Sequence, residues 1–191
     1  ALVGRGGVGR LFKVDNLVGR IVVTVDNLPR RPVPPRYIPT APIAGKFQAR
    51  GEEGQQTLSA KNYQRYIAYV RLLESVDIEA LTAVYAFLYP LFQEAYEDLG
   101  YPDAYFNDRL VEAIDNLLAT PEPENPIKLV RPSVMFKYAD PELERLSAGQ
   151  KILIRIGPDQ ARRVKERLKL VRREITRSEK VVEQAQVNRS E

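Results

Sequence analysis

The stretch VDNLVGRIVVTVDNLPR, residues 14–30, contains the sequence Val-Asp-Asn-Leu twice, with the two copies eleven residues apart. Apolar side chains recur at every third or fourth position from Leu11 to Leu28, which predicts a helix over about residues 10–28. Eleven residues correspond to three helical turns, so both Asp-Asn pairs are predicted on the same face of this helix. Because proline cannot continue the helical hydrogen-bond pattern, Pro29 ends it.

Helix periodicity and turn residues predict a mainly α fold for the rest of the chain. Residues 29–54 are rich in proline and glycine, which predicts an extended arm. Two short apolar runs, 127–130 and 134–138, predict one small β-hairpin. The further predicted helices cover about residues 59–73, 77–99, 104–119 and 147–156, and a last helix runs from Pro158 onward.

These elements predict a single helical domain of about five or six helices over residues 10–175. A flexible segment is expected at residues 1–9, and a helical extension at residues 176–191 is expected to be frayed or bound to a partner. The longest predicted helix carries a broad apolar stripe that includes Val84 and Leu91, and this stripe is predicted to be buried.

The chain of 191 residues contains no histidine and no cysteine. Imidazole bases, thiolate nucleophiles, disulfides and metal sites built from His or Cys are therefore excluded. No catalytic residue, metal site or cofactor is predicted, and any catalysis would depend on carboxylates, Tyr, Lys or Ser. The absence of cysteine also fits an oxidising compartment of the cell envelope.

Charge is distributed unevenly along the chain. Residues 1–50 carry nine basic and two acidic side chains, residues 51–156 carry ten and seventeen, and residues 157–191 carry ten and six. The net charges are +7, −7 and +4, which sum to the overall +4. This pattern predicts that the basic ends dock on the acidic body of the same or another copy, or on an anionic surface. Solvated helix faces are the simpler interpretation.

Two sequence motifs have simpler explanations than catalysis. Residues 4–9 spell the G-x-G-x-x-G dinucleotide fingerprint, but that fingerprint requires a preceding strand, and the predicted element beside it is a helix. Ser147 and Lys151 lie one helical turn apart, as in a serine nucleophile activated by lysine. Gln150 instead forms a capping box with Ser147, so we predict the start of a helix there.

Paired carboxylates at helical spacing are the strongest catalytic candidates. Glycoside hydrolysis and metal binding both use such pairs. Solvated helix faces produce the same spacing, which leaves both interpretations open. The candidates are Glu94, Asp98, Asp108, Glu112 and Asp115.

Polar and aromatic side chains also cluster around a proline that is predicted to kink the longest helix. A groove lined in this way would suit a sugar or a peptide. Half-buried tyrosines that join helix ends are the alternative. The predicted binding residues are Tyr89, Gln93, Tyr96, Asn107 and Arg109.

Several stretches, in this order and spacing, carry a resemblance to a known family: LVGRIVVTVDNLPR (17–30), LLESVD (72–77), LYPLFQEAY (88–96), LGYP (99–102), YFNDRLVE (105–112), LLATP (117–121) and SAGQK (147–151). With these stretches, the chain resembles the uncharacterised bacterial family known as domain of unknown function number three thousand and fourteen. Members typically carry an N-terminal membrane-spanning helix and a Pro-rich spacer. The resemblance implies a periplasmic domain tethered to the inner membrane of Gram-negative bacteria, and it transfers no catalytic residue.

We therefore expect a non-enzymatic periplasmic binding or scaffold domain that engages an envelope protein or peptidoglycan. The alternative is a carboxylate-based hydrolase that acts on cell-wall glycan or peptide. Membrane contact is expected only through an N-terminal anchor that is not present in this chain. Nucleic acid is not an expected partner, and a homo-oligomer is compatible with the charge pattern.

Overall fold

The computed structural model describes residues 13, 15–30 and 35–190, with side chains as far as Arg177 except that of Pro35. Eight α-helices and two antiparallel strand pairs lie in this described part, which confirms the predicted mainly α fold. The helices are α1 (Leu17–Asn27), α2 (Lys61–Gln64), α3 (Ile67–Ser75), α4 (Ile78–Glu97), α5 (Phe106–Leu118), α6 (Pro141–Arg145), α7 (Ala148–Ile156) and α8 (Pro158–Ser190).

The count exceeds the predicted five or six for two reasons. The helix predicted over residues 59–73 is divided into α2 and α3, which are separated by Arg65 and Tyr66. Helix α6 was not predicted, because five residues are too short to show helical periodicity.

Helix α1 begins later than its apolar pattern predicts. Asn16 adopts a left-handed conformation with φ 46°, and Asp15 lies in the turn before it. Only the second Asp-Asn pair therefore belongs to the helix, and the prediction that both pairs share one helix face is wrong. Residues 10–12 and Val14, which were also assigned to this helix, lie outside the described residues.

The predicted capping box is confirmed, and α4 is capped at both ends. Asp77 accepts a hydrogen bond from the Ala80 backbone N–H at 3.0 Å at the start of α4, and Gly100 follows its end with φ 102°. The Ser147 hydroxyl accepts from the Gln150 N–H at 3.1 Å, and the Gln150 side chain accepts from the Ser147 N–H, as in a capping box. Pro90 lies inside α4, and the helix continues on both sides of it.

The described strands are two residues long. β1 (Ala49–Arg50) pairs with β2 (Thr57–Leu58), and β3 (Leu129–Val130) pairs with β4 (Lys137–Tyr138). A single antiparallel bridge between Thr57 and Lys128 connects the two pairs. The second pair confirms the predicted hairpin, whereas two-residue strands such as β1 and β2 are too short to show alternation. β1 lies within the predicted extended arm.

The main core lies between α1, α4 and α5. Val22 and Phe106 are almost completely buried at its centre, and Phe92 stacks on Phe106 with the ring centroids 5.6 Å apart. Two smaller clusters complete the interior. One joins the strands to α7 through Leu58, Ile127, Leu129, Tyr138 and Ile154, and the other contains Tyr66, Leu153, Ile156 and Ala161.

Helix α8 packs against α3, α4, α5 and α7 of its own chain. Arg163 forms an ion pair with Glu74 on α3, and Arg172 forms one with Asp115 on α5 at 2.6 Å. Ile175 is buried. The basic last helix therefore docks on the acidic body of the same chain, which is one of the two arrangements that the charge pattern predicted.

Candidate functional site

Among the predicted binding residues, Gln93 joins α4 to the start of α5. Its Oε1 accepts from the Phe106 backbone N–H at 2.9 Å and from the Tyr89 hydroxyl at 3.1 Å, and its Nε2 donates to the Ala104 carbonyl at 3.0 Å. Phe106 is the first residue of α5, so Gln93 satisfies a helix N–H that no residue of α5 could reach. Tyr89 and Gln93 are half-buried.

Arg109 joins α5 to α1 through a buried carboxylate. Its Nε donates to Asp26 Oδ1 at 3.1 Å, and Arg30 Nη2 donates to the same oxygen at 3.0 Å. The side chain of Arg109 is 11% exposed and that of Asp26 is 5% exposed. Glu112 forms a second ion pair with Arg109 at 2.5 Å. This ion-pair cluster gives the second Val-Asp-Asn-Leu copy a structural role that its sequence alone did not reveal.

The other two predicted binding residues are interior. Tyr96 and Asn107 are buried, and the Tyr85 hydroxyl donates to Asn107 Oδ1 at 3.1 Å. Desolvation by burial raises the pKa of Tyr96. The five predicted residues therefore lie in the contacts that hold α1, α4 and α5 together, and their role in binding stays a prediction.

The five candidate carboxylates, Glu94, Asp98, Asp108, Glu112 and Asp115, are all exposed. A general acid needs a raised pKa, but the Arg172 guanidinium hydrogen-bonded to Asp115 lowers the pKa of that carboxyl. Glu112 is paired with Arg109. These positions are those of solvated helix faces.

The outer face of α4, formed by Ala83, Val84, Ala86, Phe87, Pro90 and Leu91, is apolar and exposed. Phe87 is 84% exposed, Leu91 is 49% exposed and Val84 is 45% exposed. The prediction that this stripe is buried is therefore wrong for Val84 and Leu91, whereas Phe92 of the same stripe is buried and Tyr85 and Leu88 pack against the main core. Helix α4 buries a narrower stripe instead, on which Ile78, Phe92 and Tyr96 lie.

Phe87 was not among the predicted binding residues. The signal was present, because residues 80–93 contain no charged side chain and are apolar on every side of the helix. Such a helix is expected inside a protein. Periodicity could not show which part of its circumference the remaining helices would leave uncovered.

Acidic residues flank the outer face of α4 along the chain. Residues 72–108 contain eight acidic residues and neither lysine nor arginine. Glu79 precedes the face along α4, and Glu94, Glu97 and Asp98 follow it, and all four are exposed. The site is therefore an apolar helix face with an acidic border.

Residues 17–172 match the family described as Protein of unknown function (DUF3014). The chain belongs to the DUF3014 family. No curated protein and no solved structure matches it.

Stretches that carry the family resemblance meet at one place in this DUF3014 domain. The end of α1 contacts the start of α7, where the Gly149 N–H donates to the Leu28 carbonyl at 3.0 Å and the Ala148 N–H donates to the Arg30 carbonyl at 2.6 Å. A Cβ on Gly149 would lie 2.6 Å from the Leu117 side chain of α5 and 3.2 Å from the Leu28 carbonyl oxygen, so the absence of a side chain at Gly149 lets α7 pack closely on both neighbours. This junction holds the structure together rather than forming an open site.

Within residues 13, 15–30 and 35–190, no group of three or more acidic side chains is placed to hold a metal ion. No single helix in those ranges is long and apolar enough to cross a membrane. Helices α3 and α4, which are bent by 84° at their junction, would together be long and apolar enough, by length and composition only.

Proposed function

We propose that the DUF3014 domain is a non-enzymatic binding or scaffold domain that engages a protein partner through the outer face of α4. The observation that carries this proposal is the exposure of Phe87, 84%, at the centre of an uncharged helix segment. Val84, Phe87 and Leu91 occupy positions i, i+3 and i+7, which is the spacing used in helix-mediated recognition. They span roughly 10 Å along the helix, at about 1.5 Å per residue.

The border of this face determines the chemistry of the partner. Glu79 lies at one end and Glu94 at the other, so a partner segment with apolar side chains between basic ones would satisfy both the apolar and the charged parts of the surface. Two copies of this face placed against each other would bring like charges together. We therefore propose a basic amphipathic segment of another protein rather than a second α4.

Burial of the exposed aromatic ring should supply much of the binding free energy. A fully buried aliphatic or aromatic side chain contributes about 1.5–3 kcal/mol, and a central aromatic residue in an interface often costs more than about 2 kcal/mol when truncated. Phe87 is more exposed than Val84 and Leu91 and lies between them. Its removal should weaken binding by roughly 30-fold, the equivalent of about 2 kcal/mol.

The cellular setting belongs to the same proposal. A chain without cysteine fits the periplasm, and the family resemblance implies tethering to the inner membrane. The proposed partner is accordingly an envelope protein. Peptidoglycan would have required an open polar groove around Tyr96, Asn107 and Arg109, and the burial of these side chains makes it the weaker candidate. The exposed positions of the candidate carboxylates give the hydrolase alternative no support.

Site-specific photocrosslinking in cells tests the proposal. A photoreactive phenylalanine analogue is placed at position 87 of the full-length protein, and a matched variant carries it at Val134, an equally exposed apolar position outside α4. We expect position 87 to yield a discrete adduct with an envelope protein whose crosslinked peptide is basic and amphipathic. Position 134 should not yield that adduct.

The partner identified by crosslinking is then tested for capture by purified protein without the photoreactive group. Phe87→Ser should lose the partner while Val134→Ser retains it, and both variants should keep the wild-type Tm because both side chains are exposed. Equal capture by the two variants, or adducts with acidic or random segments, would contradict the proposal. An adduct with a second copy of this chain would assign the face to self-association.

A further inference from the structure

The tip of the β3–β4 hairpin is a second exposed apolar surface, and it does not belong to α4. Val134 is 80% exposed and Met135 is 72% exposed, and every residue from Val130 to Met135 is exposed. Neither Val134 nor Met135 is part of a core cluster among the described residues. Fold stability therefore does not explain why this tip is apolar.

The hairpin below the tip is firmly held. Leu129 and Tyr138 pair across the strands and point into the core, and the Tyr138 N–H donates to Glu144 Oε2 at 3.0 Å. Phe136 packs against Phe47 with their ring centroids 5.4 Å apart. The tip is thus presented by an ordered base rather than by a free chain end.

The charge around the tip is positive. Residues 128–139 contain three basic side chains, Lys128, Arg131 and Lys137, and no acidic one. The antiparallel bridge between Thr57 and Lys128 places the β1–β2 turn at the same end of the strands. That turn adds Arg50, Glu52 and Glu53, so four basic and two acidic residues give this end a net charge of +2.

From these observations we infer that the β3–β4 tip inserts Val134 and Met135 into a lipid surface rich in anionic headgroups. Apolar side chains reach the acyl boundary while adjacent Lys and Arg side chains stay among the headgroups, as in other interfacial membrane anchors. Each Lys or Arg side chain near an anionic leaflet adds to the electrostatic attraction between the protein and the lipid. The tip offers two prominent side chains, which is far less than the roughly 800 Å² per partner of a standard protein interface.

This inference is independent of the proposed role of α4. The acidic border of the outer face of α4 would be repelled by an anionic leaflet, whereas the hairpin tip would be attracted. A lipid surface therefore discriminates between the two apolar surfaces of the same molecule.

Tryptophan fluorescence provides the test, because the chain contains no tryptophan. Met135→Trp places a single reporter at the hairpin tip, and Phe87→Trp places one on the outer face of α4 as the matched control. Each variant of the 191-residue chain is titrated with vesicles of phosphatidylcholine alone and with vesicles that also contain phosphatidylglycerol. We expect a blue shift of emission for Met135→Trp with the anionic vesicles only, and no shift for Phe87→Trp.

Flotation of the unlabelled protein with the same vesicles supplies a second measurement. Val134→Ser combined with Met135→Ser should lower the fraction bound by about tenfold or more, because the apolar part of the interaction is lost. Circular dichroism should show that this variant remains folded. No shift for Met135→Trp, an equal shift with neutral vesicles, or unchanged flotation of the double variant would overturn the inference.

Discussion

Replacement of Asp26 by asparagine tests whether the buried ion-pair cluster holds α1 to α5. The Asp26 carboxylate accepts from Arg109 at 3.1 Å and from Arg30 at 3.0 Å. Asparagine has nearly the same shape but no charge. The substitution therefore leaves the guanidinium of Arg109, whose side chain is only 11% exposed, without its buried counter-ion.

The expected loss follows from burial. Removal of one partner of a buried ion pair usually costs about 3–5 kcal/mol. Arg109 keeps its contact with the exposed Glu112, and Arg30 is half-exposed and can be hydrated, so we expect about 3 kcal/mol, at the lower end of that range. For a domain of this size the Tm should fall by roughly 6–12 °C.

Urea titration and thermal melting followed by circular dichroism measure this loss. Asp15→Asn is the matched control, because it makes the same change in the first Val-Asp-Asn-Leu copy, where the carboxylate is exposed, and its Tm should not change. The double variant Asp26→Asn with Arg109→Met should be less destabilised than the sum of the single variants, by more than about 1 kcal/mol. A wild-type Tm for Asp26→Asn, or strict additivity, would refute the reasoning.

Three further predictions concern packing and titration. Gly149→Ala should lower the free energy of unfolding, measured by urea titration, by about 1–3 kcal/mol, because the added Cβ would meet Leu117. Alanine is usually preferred over glycine in a helix, so stabilisation by this substitution would contradict the packing described. Burial raises the pKa of Tyr138 to about 12, so the folded state holds this proton more tightly than the unfolded state does. The free energy of unfolding should therefore be highest below about pH 10, and it should fall by roughly 3 kcal/mol as the pH rises to 12. Urea titrations at alkaline pH should show a smaller fall for Tyr138→Phe, and equal falls would exclude this titration as the cause. Ile175→Asp places a charge in the contact of α8 with the body and should cost about 4 kcal/mol or more, so a wild-type Tm would show that this end of α8 is not part of the core.

Local signals predicted the elements that depend on a few neighbouring residues. The capping box of Ser147 and Gln150 acts within one helical turn and was predicted from the sequence. The start of α1 was missed for a related reason. The apolar spacing continues on both sides of Asn16, and nothing in that spacing reveals the left-handed conformation of Asn16, after which the helix begins.

Contacts between distant residues could not be read in this way. Asp26 and Arg109 are 83 positions apart, and a single sequence offers no signal that pairs them. The polar and aromatic cluster around Pro90 had two interpretations, a binding groove or half-buried tyrosines that join helix ends, and Tyr89 is half-buried. The sequence could not decide between them, because polar side chains near a helix end have the same composition whether they line a groove or hold two helices.

Two pairs of residues depart from the usual distribution, in which charged side chains lie at the surface and apolar ones in the core. A carboxylate and an arginine lie inside at Asp26 and Arg109, while Phe87 and Met135 lie outside. A triple substitution of Tyr89, Gln93 and Arg109 is the direct test of the predicted binding residues. Because Arg109 is paired with buried Asp26, that triple variant should lose stability as well, and loss of binding would then have two explanations. Exposed positions such as Phe87 avoid this ambiguity, since their removal leaves no buried charge or cavity behind.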